Sequence, residues 1–294
     1  MRAEKNIKRL AGGRRNSLFS DVVRRYMRNP AAVIGGVILI IILLACFTAN
    51  WIVPEEMVTA YDTQARLQPP SAEHPFGTDN LGRDLFARVL YGARISVGIG
   101  VGATALSLVL GAAIASICAM SKKADFFIMR VVDVITCVPT ILLALVLLTV
   151  LGGSVFNMVL TLTLVSVPGF VLRIRAVVLG VVEQDYVKAA RVSGTRSIKL
   201  VVKHILPNAL DPIIVDATMT ISSMMLSAAG LSFIGVGVAP PNPEWGAMLN
   251  YAQQYFRTAP YMAIFPGLAI TLTALSINMV GDGLRDALDP QADK

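Results

Sequence analysis

The sequence has few charged residues: Asp, Glu, Lys and Arg make up 15% of its 294 positions, against about 25% in a typical soluble domain. Hydrophobic residues account for 55% of the chain, and the mean hydropathy is +0.65. Such a chain has too little polar surface to cover a soluble globule. Disorder is also excluded, because it requires low hydrophobicity and high charge. The composition therefore predicts a polytopic membrane protein.

Histidine and cysteine are scarce as well. The two histidines, His74 and His204, lie far apart in the chain, so no histidine-based triad or zinc motif can be assembled from them. The three cysteines lie in apolar runs without a ligand spacing, which excludes a disulfide framework. The phosphate-binding pattern G-x-x-x-x-G-K-[ST] is absent. We expect no catalytic residue, no metal site and no cofactor bound by this chain.

Six apolar runs are long enough to cross a bilayer, which takes about 20 residues of helix. They lie at 31–53, 95–120, 134–151, 155–172, 213–238 and 262–280. Asn29 is a suitable N-cap for the first run, and Pro30 suits the first helical position. The second run carries small residues at four-residue spacing, from Ala103 to Ala119, which predicts close packing against other helices. The expected fold is all-α with six transmembrane helices.

The basic residues are distributed unevenly between the two sides of this arrangement. With the N-terminus inside, 21 of the 26 Lys and Arg fall in inner segments and five in outer ones. The positive-inside rule therefore predicts that both termini are cytoplasmic. The net charge of +7 is then explained without nucleic acid. Within residues 1–30, the spacing of Leu18, Val22 and Tyr26 favours an amphipathic helix on the inner membrane surface, although a solvated basic tail fits residues 1–15 equally well.

A cytoplasmic segment of about forty residues, 173–212, separates the fourth and fifth runs, whereas helix connections usually span about 2–8 residues. It predicts a short helix that ends at Gly194, which tolerates positive φ. A second short helix follows at about 197–206 and is closed by Pro207. Ala189 and Ala190 would let another protein approach the first helix closely. From the pattern alone, a docking element and an ordinary interfacial hairpin remain equally open.

The spacing within this segment is similar to a known motif. Lys188-Ala189-Ala190, three residues, Gly194, nine residues and then His204-Ile205-Leu206-Pro207 resemble the cytoplasmic E-A-A loop of ABC importer permeases, with His204 where that motif has Ile. Lys188 stands where that motif has Glu. Further segments resemble the C-type permease subunit of dipeptide, oligopeptide and nickel importers; they lie at 28–33, 76–84, 91–94, 240–246 and 281–290.

The resemblance implies a type I importer permease fold in a bacterial inner membrane. Its divisions would be a cytoplasmic tail at 1–30, a first span at 31–53, an outer loop at 54–92, a five-helix permease core at 93–282 and a tail at 283–294. The implied partners are a second permease in a heterodimer, two ABC ATPase subunits that bind ATP and Mg, and an external substrate-binding protein. The implied substrates are di- and oligopeptides, with nickel or a metal complex as the alternative. A secondary transporter is disfavoured because intramembrane ionisable residues are scarce.

Three groups of candidate functional residues follow. Residues expected to couple the chain to the ATPases are Asp185, Tyr186, Lys188, Ala189, Ala190, Gly194, Leu206 and Pro207. Residues that are candidates for the translocation pathway are Asp216, Ser222, Ser223 and Met224. Residues that are candidates for contact with the external protein are Pro241, Glu244 and Trp245. Packing by Ser and Met, and a rigid turn at 240–246, are the alternatives to the last two assignments. Trp245 also suits the membrane–water interface.

Overall fold

The computed structural model describes residues 22–288 except Glu55 and Arg196. Within these residues the chain is helical and contains no strand, only an isolated bridge between Thr78 and Asp84. Most of the amphipathic helix expected before residue 30, and the final tail at 289–294, lie outside the described residues; 22–26 are helical. The helices are α1 Pro30–Ile52, α2 Glu56–Thr59, α3 Leu85–Met120, α4 Lys122–Thr136, α5 Thr140–Leu151, α6 Val155–Val182, α7 Asp185–Val192, α8 Ser197–Leu200, α9 Leu206–Phe233, α10 Trp245–Ala252 and α11 Tyr261–Leu288.

Five of these helices, α1, α3, α6, α9 (with the helical turn before it) and α11, are long and apolar enough to cross a membrane. The predicted start of α1 is confirmed: the Asn29 side chain accepts a hydrogen bond from the Ala32 amide, and Pro30 occupies the first turn. The helices extend beyond the apolar runs that predicted them. For example, α3 begins at Leu85 and α11 continues to Leu288. Hydropathy locates the bilayer core, but the hydrogen-bonded helix continues into water.

The third predicted span is broken. The run predicted at 134–151 is divided between α4 and α5, which meet at an angle of 85° and together form the sixth candidate span. Pro139 lies at the junction with ψ 124°, and a proline there removes an N–H and disfavours a helical residue before it. The twelve residues of α5 extend about 18 Å, which is shorter than the bilayer core of about 30 Å.

The packing of α3 against α6 forms the centre of the fold. As the small-residue row predicted, Ala103, Ser107, Gly111 and Ala115 are buried. A Cβ at Gly111 would stand 2.7 Å from Cβ of Phe170, so this position requires glycine for the two helices to approach. A second contact surface joins α1 to α11, where a Cβ at Gly35 would stand 2.5 Å from Cβ of Met279. Both contacts are typical of helix association in lipid, where small residues let backbones come close.

Candidate functional site

The segment between α6 and α9 carries the residues that the sequence predicted to contact other subunits. After α6 ends at Val182, the chain turns through two residues into α7, and α7 ends before Gly194. Gly194 adopts φ +79° with open space around its Cα, so the predicted left-handed break is confirmed. The segment outside the long helices is thus much shorter than the forty residues expected.

The second half of the segment differs from its prediction. Pro207 does not close a short helix, because α8 runs through a π-helical turn, Val201–Ile205, directly into α9. The amide of Leu206 donates to the carbonyl of Val201, five residues back, and Pro207 lies in the first turn of α9. Proline has no N–H and blocks a regular turn before it. A π-turn admits one extra residue and lets the helix continue instead of ending.

The short helix α7 has one buried face and one exposed face. Val187 is fully buried in the same apolar cluster as Ile174 and Val178 of α6, and Ala190 packs partly against that cluster. Tyr186 and Val192 are 45% and 89% exposed. On the exposed side of this helix, Lys188 Nζ lies 3.7 Å from Asp185 Oδ1. α7 is therefore fixed to α6 on one side and leaves its other side exposed.

Ser223 and Met224 lie in a cavity of about 330 Å³ between α4, α5, α6 and α9. The cavity continues along α5 and α9 into a second one that shares Thr140, Ser166 and Met224; we refer to the two together as the groove. Its polar lining consists of Thr136, Thr140, Ser166, Arg173, Thr220, Ser223 and Ser227.

Ser222 points away from the groove. It is 2% exposed, and its hydroxyl donates to the side-chain oxygen of Asn278 on α11 at 2.6 Å. The structure therefore corrects the pathway assignment of Ser222, because adjacent residues of a helix lie about 100° apart and, of the two serines, Ser223 is the one that lines the groove.

Asp216 pairs with a base of its own chain. The Arg173 Nε donates to Asp216 Oδ2 at 2.7 Å, and the two side chains are 45% and 37% exposed. The pair joins α6 to α9 at one end of the groove. Sequence reasoning missed Arg173, which was counted only as one of the inner basic residues. The sequence shows Arg173 directly after the apolar run at 155–172. This position is the same for an arginine that lines a groove and for one that lies at the membrane surface, so the sequence does not distinguish the two.

Glu244 and Trp245 are buried in the segment that joins α9 to α11. Glu244 is fully buried and caps α10 by accepting hydrogen bonds from the amides of Gly246 and Ala247 at 2.9 and 2.8 Å. Burial raises the pKa of this carboxyl, and the hydrogen bonds it accepts oppose the rise. The Trp245 indole N–H donates to the carbonyl of Val89 at 2.8 Å. The expected contacts of Glu244 with another protein and of Trp245 with the membrane interface are corrected, whereas Pro241 is exposed.

The outer segment before α3 is held by a buried charge cluster. Asp79 accepts from Arg83 Nε at 2.6 Å and lies 3.6 Å from Arg88 Nε. Its carboxylate also accepts from the amides of Arg83 and Leu81. All of these interactions fix the loop onto the start of α3.

Comparisons with known proteins agree with this architecture. Residues 89–294 match the family described as the inner membrane component of binding-protein-dependent transport systems. Residues 17–70 match the N-terminal transmembrane domain of oligopeptide transport permease C. The chain is 38% identical over 277 residues to the dipeptide transport system permease protein DppC of Alkalihalophilus pseudofirmus, covering 94% of this chain and 90% of that protein. It is 40% identical over 273 residues to the glutathione transport system permease protein GsiD of Escherichia coli O6:K15:H31, covering 91% and 89%.

Proposed function

Because the chain belongs to the family of binding-protein-dependent transport system inner membrane components, we propose that it forms half of the pathway of an ATP-driven di- and oligopeptide importer and couples that pathway to separate ATPase subunits. It is a multi-pass inner membrane permease subunit of an ABC importer related to those for peptides, dipeptides and glutathione, and it is not an enzyme. Beyond this family assignment, we propose which helix couples the chain to its ATPases, which partners it has and which class of substrate it transports.

The observation that carries the proposal is the position of α7 between the two helices that line the groove. α7 follows α6 after two residues and leads through α8 and the π-turn into α9. Its buried anchor, Val187, packs with Ile174 and Val178 of α6. A force on the exposed face of α7 would therefore move the inner ends of α6 and α9 together. This is a two-state element that a ligand on a neighbouring chain can bias.

The proposed cycle follows from this geometry. Two ATPase subunits bind ATP and Mg, and one of them grips the exposed face of α7 around Tyr186 and Ala189. Their closure moves α6 and α9 and opens the groove toward the external binding protein, and hydrolysis returns it inward. A second, related permease covers the open side of the groove, and both termini lie in the cytoplasm. Pro241 remains a candidate contact for the external protein.

The substrate class rests on the chemistry of the groove. Among its described lining residues, hydroxyl and apolar side chains dominate, and no Cys, His or carboxylate is present. Bare nickel is commonly held by imidazole or thiolate ligands, whereas a peptide needs a permissive surface of hydrogen-bonding and apolar groups. This lining supports peptides over the alternative of a bare metal ion.

The test of coupling replaces Gly194 by valine in the complete complex, reconstituted with both permeases, the ATPases and the binding protein. A β-branched residue at φ +79° costs roughly 1–2 kcal/mol or more, so we expect peptide uptake and peptide-stimulated ATP hydrolysis to fall at least about fivefold. Gly194→Asn should retain most activity, because Asn tolerates this conformation.

Gly180→Val is the matched control, since Gly180 also has open space around it but lies within helix α6 at an ordinary φ. Full uptake and stimulation by Gly194→Val would remove the α7 break from the mechanism. A second experiment uses a cysteine-free complex. A cross-linker should join Ala189→Cys to an ATPase subunit, and Pro241→Cys, which lies beyond the outer end of α9, should give no such product.

A further inference from the structure

The groove is almost free of charge. Among the described residues that line it, Arg173 carries the single charged side chain, and the rest are hydroxyl-bearing, apolar or glycine. An exposed guanidinium beside such a surface marks one point at which a negative group is favoured over a neutral one.

Arg173 is oriented for a second anion. Its Nε donates to Asp216, and the guanidinium lies 4.7 Å from the centre of the Phe170 ring. Within the described part of the chain, the two terminal nitrogens of Arg173 donate to no protein acceptor. A guanidinium presents donors in a fixed fork that matches a carboxylate. The edge with the two terminal nitrogens can therefore bind a second carboxylate while Nε keeps its hydrogen bond to Asp216.

The position along the pathway fits the same role. Arg173 lies 18 residues after the start of α6 at Val155, which is about 27 Å along the helix in a bilayer core of about 30 Å. A molecule that enters from outside would pass the hydroxyl and apolar part of the groove before it meets the guanidinium. A carboxylate that has lost bound water in this part of the groove would then pair with the Arg173 guanidinium near the inner end.

We propose that Arg173 is a specificity-determining residue of the pathway, which binds the terminal carboxylate of a passing peptide, and that Asp216 holds the guanidinium in place while the groove is empty. The inference rests on the proposed peptide import, since a terminal carboxylate is the anionic group that unmodified peptides of every sequence share.

The alternative is that the ion pair only ties α6 to α9. A second pair on the same helix provides the control for this. Arg175 makes a bidentate contact with Asp125 of α4, with Nε–Oδ1 and Nη2–Oδ2 distances of 2.5 and 2.7 Å, and Arg175 does not line the groove. Its replacement removes a tie between helices without changing the charge in the pathway.

The experiment compares alanyl-alanine with its C-terminal amide in proteoliposomes that contain the complete complex and its binding protein. We measure initial uptake rates for the unchanged chain, Arg173→Gln, Arg173→Lys and Arg175→Gln. The unchanged chain should prefer the free acid, and Arg173→Gln should lower uptake of the acid about tenfold while sparing the amide. Arg173→Lys should keep part of the preference, and Arg175→Gln should keep all of it. The binding protein is the same in every arm, so a changed ratio arises in this chain.

An unchanged ratio in Arg173→Gln, no preference in the unchanged chain, or an equal loss of both peptides would overturn the proposal. A second measurement does not depend on assembly of the Arg173 variants. In a cysteine-free complex, a thiol at Ser223→Cys should be protected from labelling by the acid more than by the amide, and equal protection would also refute the role of Arg173. Uptake of neither peptide by an active complex would instead refute the proposed function.

Discussion

Replacing Glu244 by alanine removes both acceptors that hold the start of α10. The amides of Gly246 and Ala247 donate to this carboxylate at 2.9 and 2.8 Å, and the site is fully buried. Each buried donor left without an acceptor costs about 1–3 kcal/mol. We therefore expect Glu244→Ala to lower the free energy of unfolding by about 2–6 kcal/mol.

The assay is thermal unfolding of the purified complex in detergent, followed by the fluorescence of Trp245, which lies beside the cap. Glu73→Ala removes a carboxylate from the exposed part of the outer loop and should change stability by less than about 0.5 kcal/mol. If Glu244→Ala unfolded at the same temperature as Glu73→Ala, the buried cap would not hold α10, and the structural role given to Glu244 would be wrong.

The same residue predicts a pH dependence. Burial raises the pKa of Glu244 above its ordinary value of 4.5. A raised pKa in the folded state means that the stabilising contribution is complete below pH 4.5 and is lost as the pH rises through the higher value. Glu244→Gln cannot ionise and keeps one acceptor. The stability of the unchanged chain should therefore fall relative to that of Glu244→Gln as the pH rises through this window. A constant difference would contradict the raised pKa.

Two further changes test other parts of the fold. Arg94 of α3 donates to the carbonyls of Cys46 and Phe47 and to the Asn50 side chain on α1. Arg94→Lys should lower the free energy of unfolding by about 1–3 kcal/mol, measured by thermal unfolding. An unchanged unfolding transition would mean that these contacts do not hold α1. Pro207→Ala restores an N–H and lets an α-helical register replace the π-turn, so we expect peptide uptake to fall. Pro212→Ala, within α9, should leave uptake unchanged. Equal uptake by the two variants would show that the π-turn has no role in coupling.

Local signals predicted those parts of the molecule that depend on local chemistry. The cap of α1 at Asn29 is an interaction over three residues, and the break at Gly194 depends on the backbone freedom of one residue. The small-residue row of α3 depends on helical spacing alone. Each of these could be identified from neighbouring positions in the chain.

Features that depend on direction or on distant partners could not be predicted in this way. The apolar run at 134–151 is continuous in hydropathy, yet α4 and α5 diverge by 85°, because hydropathy measures composition and not the path of the backbone. The partner of Asp216 lies 43 residues away and the hydroxyl of Ser96 that meets Glu244 lies 148 residues away. Their pairing requires the helices to be packed first.

By itself, the sequence determined the membrane class, the helical fold and the short helix with its glycine break, because apolar composition, helical period and allowed φ are properties of one segment at a time. Only the tertiary structure decided that α8 continues through a π-turn into α9, with Pro207 in the first turn of α9. It also decided that Glu244 and Trp245 are buried, that Ser223 and not Ser222 faces the groove, and that Arg173 joins Asp216 there. These outcomes depend on which helix surfaces contact one another and so exclude lipid and water. Such contacts exist only once the segments are packed together.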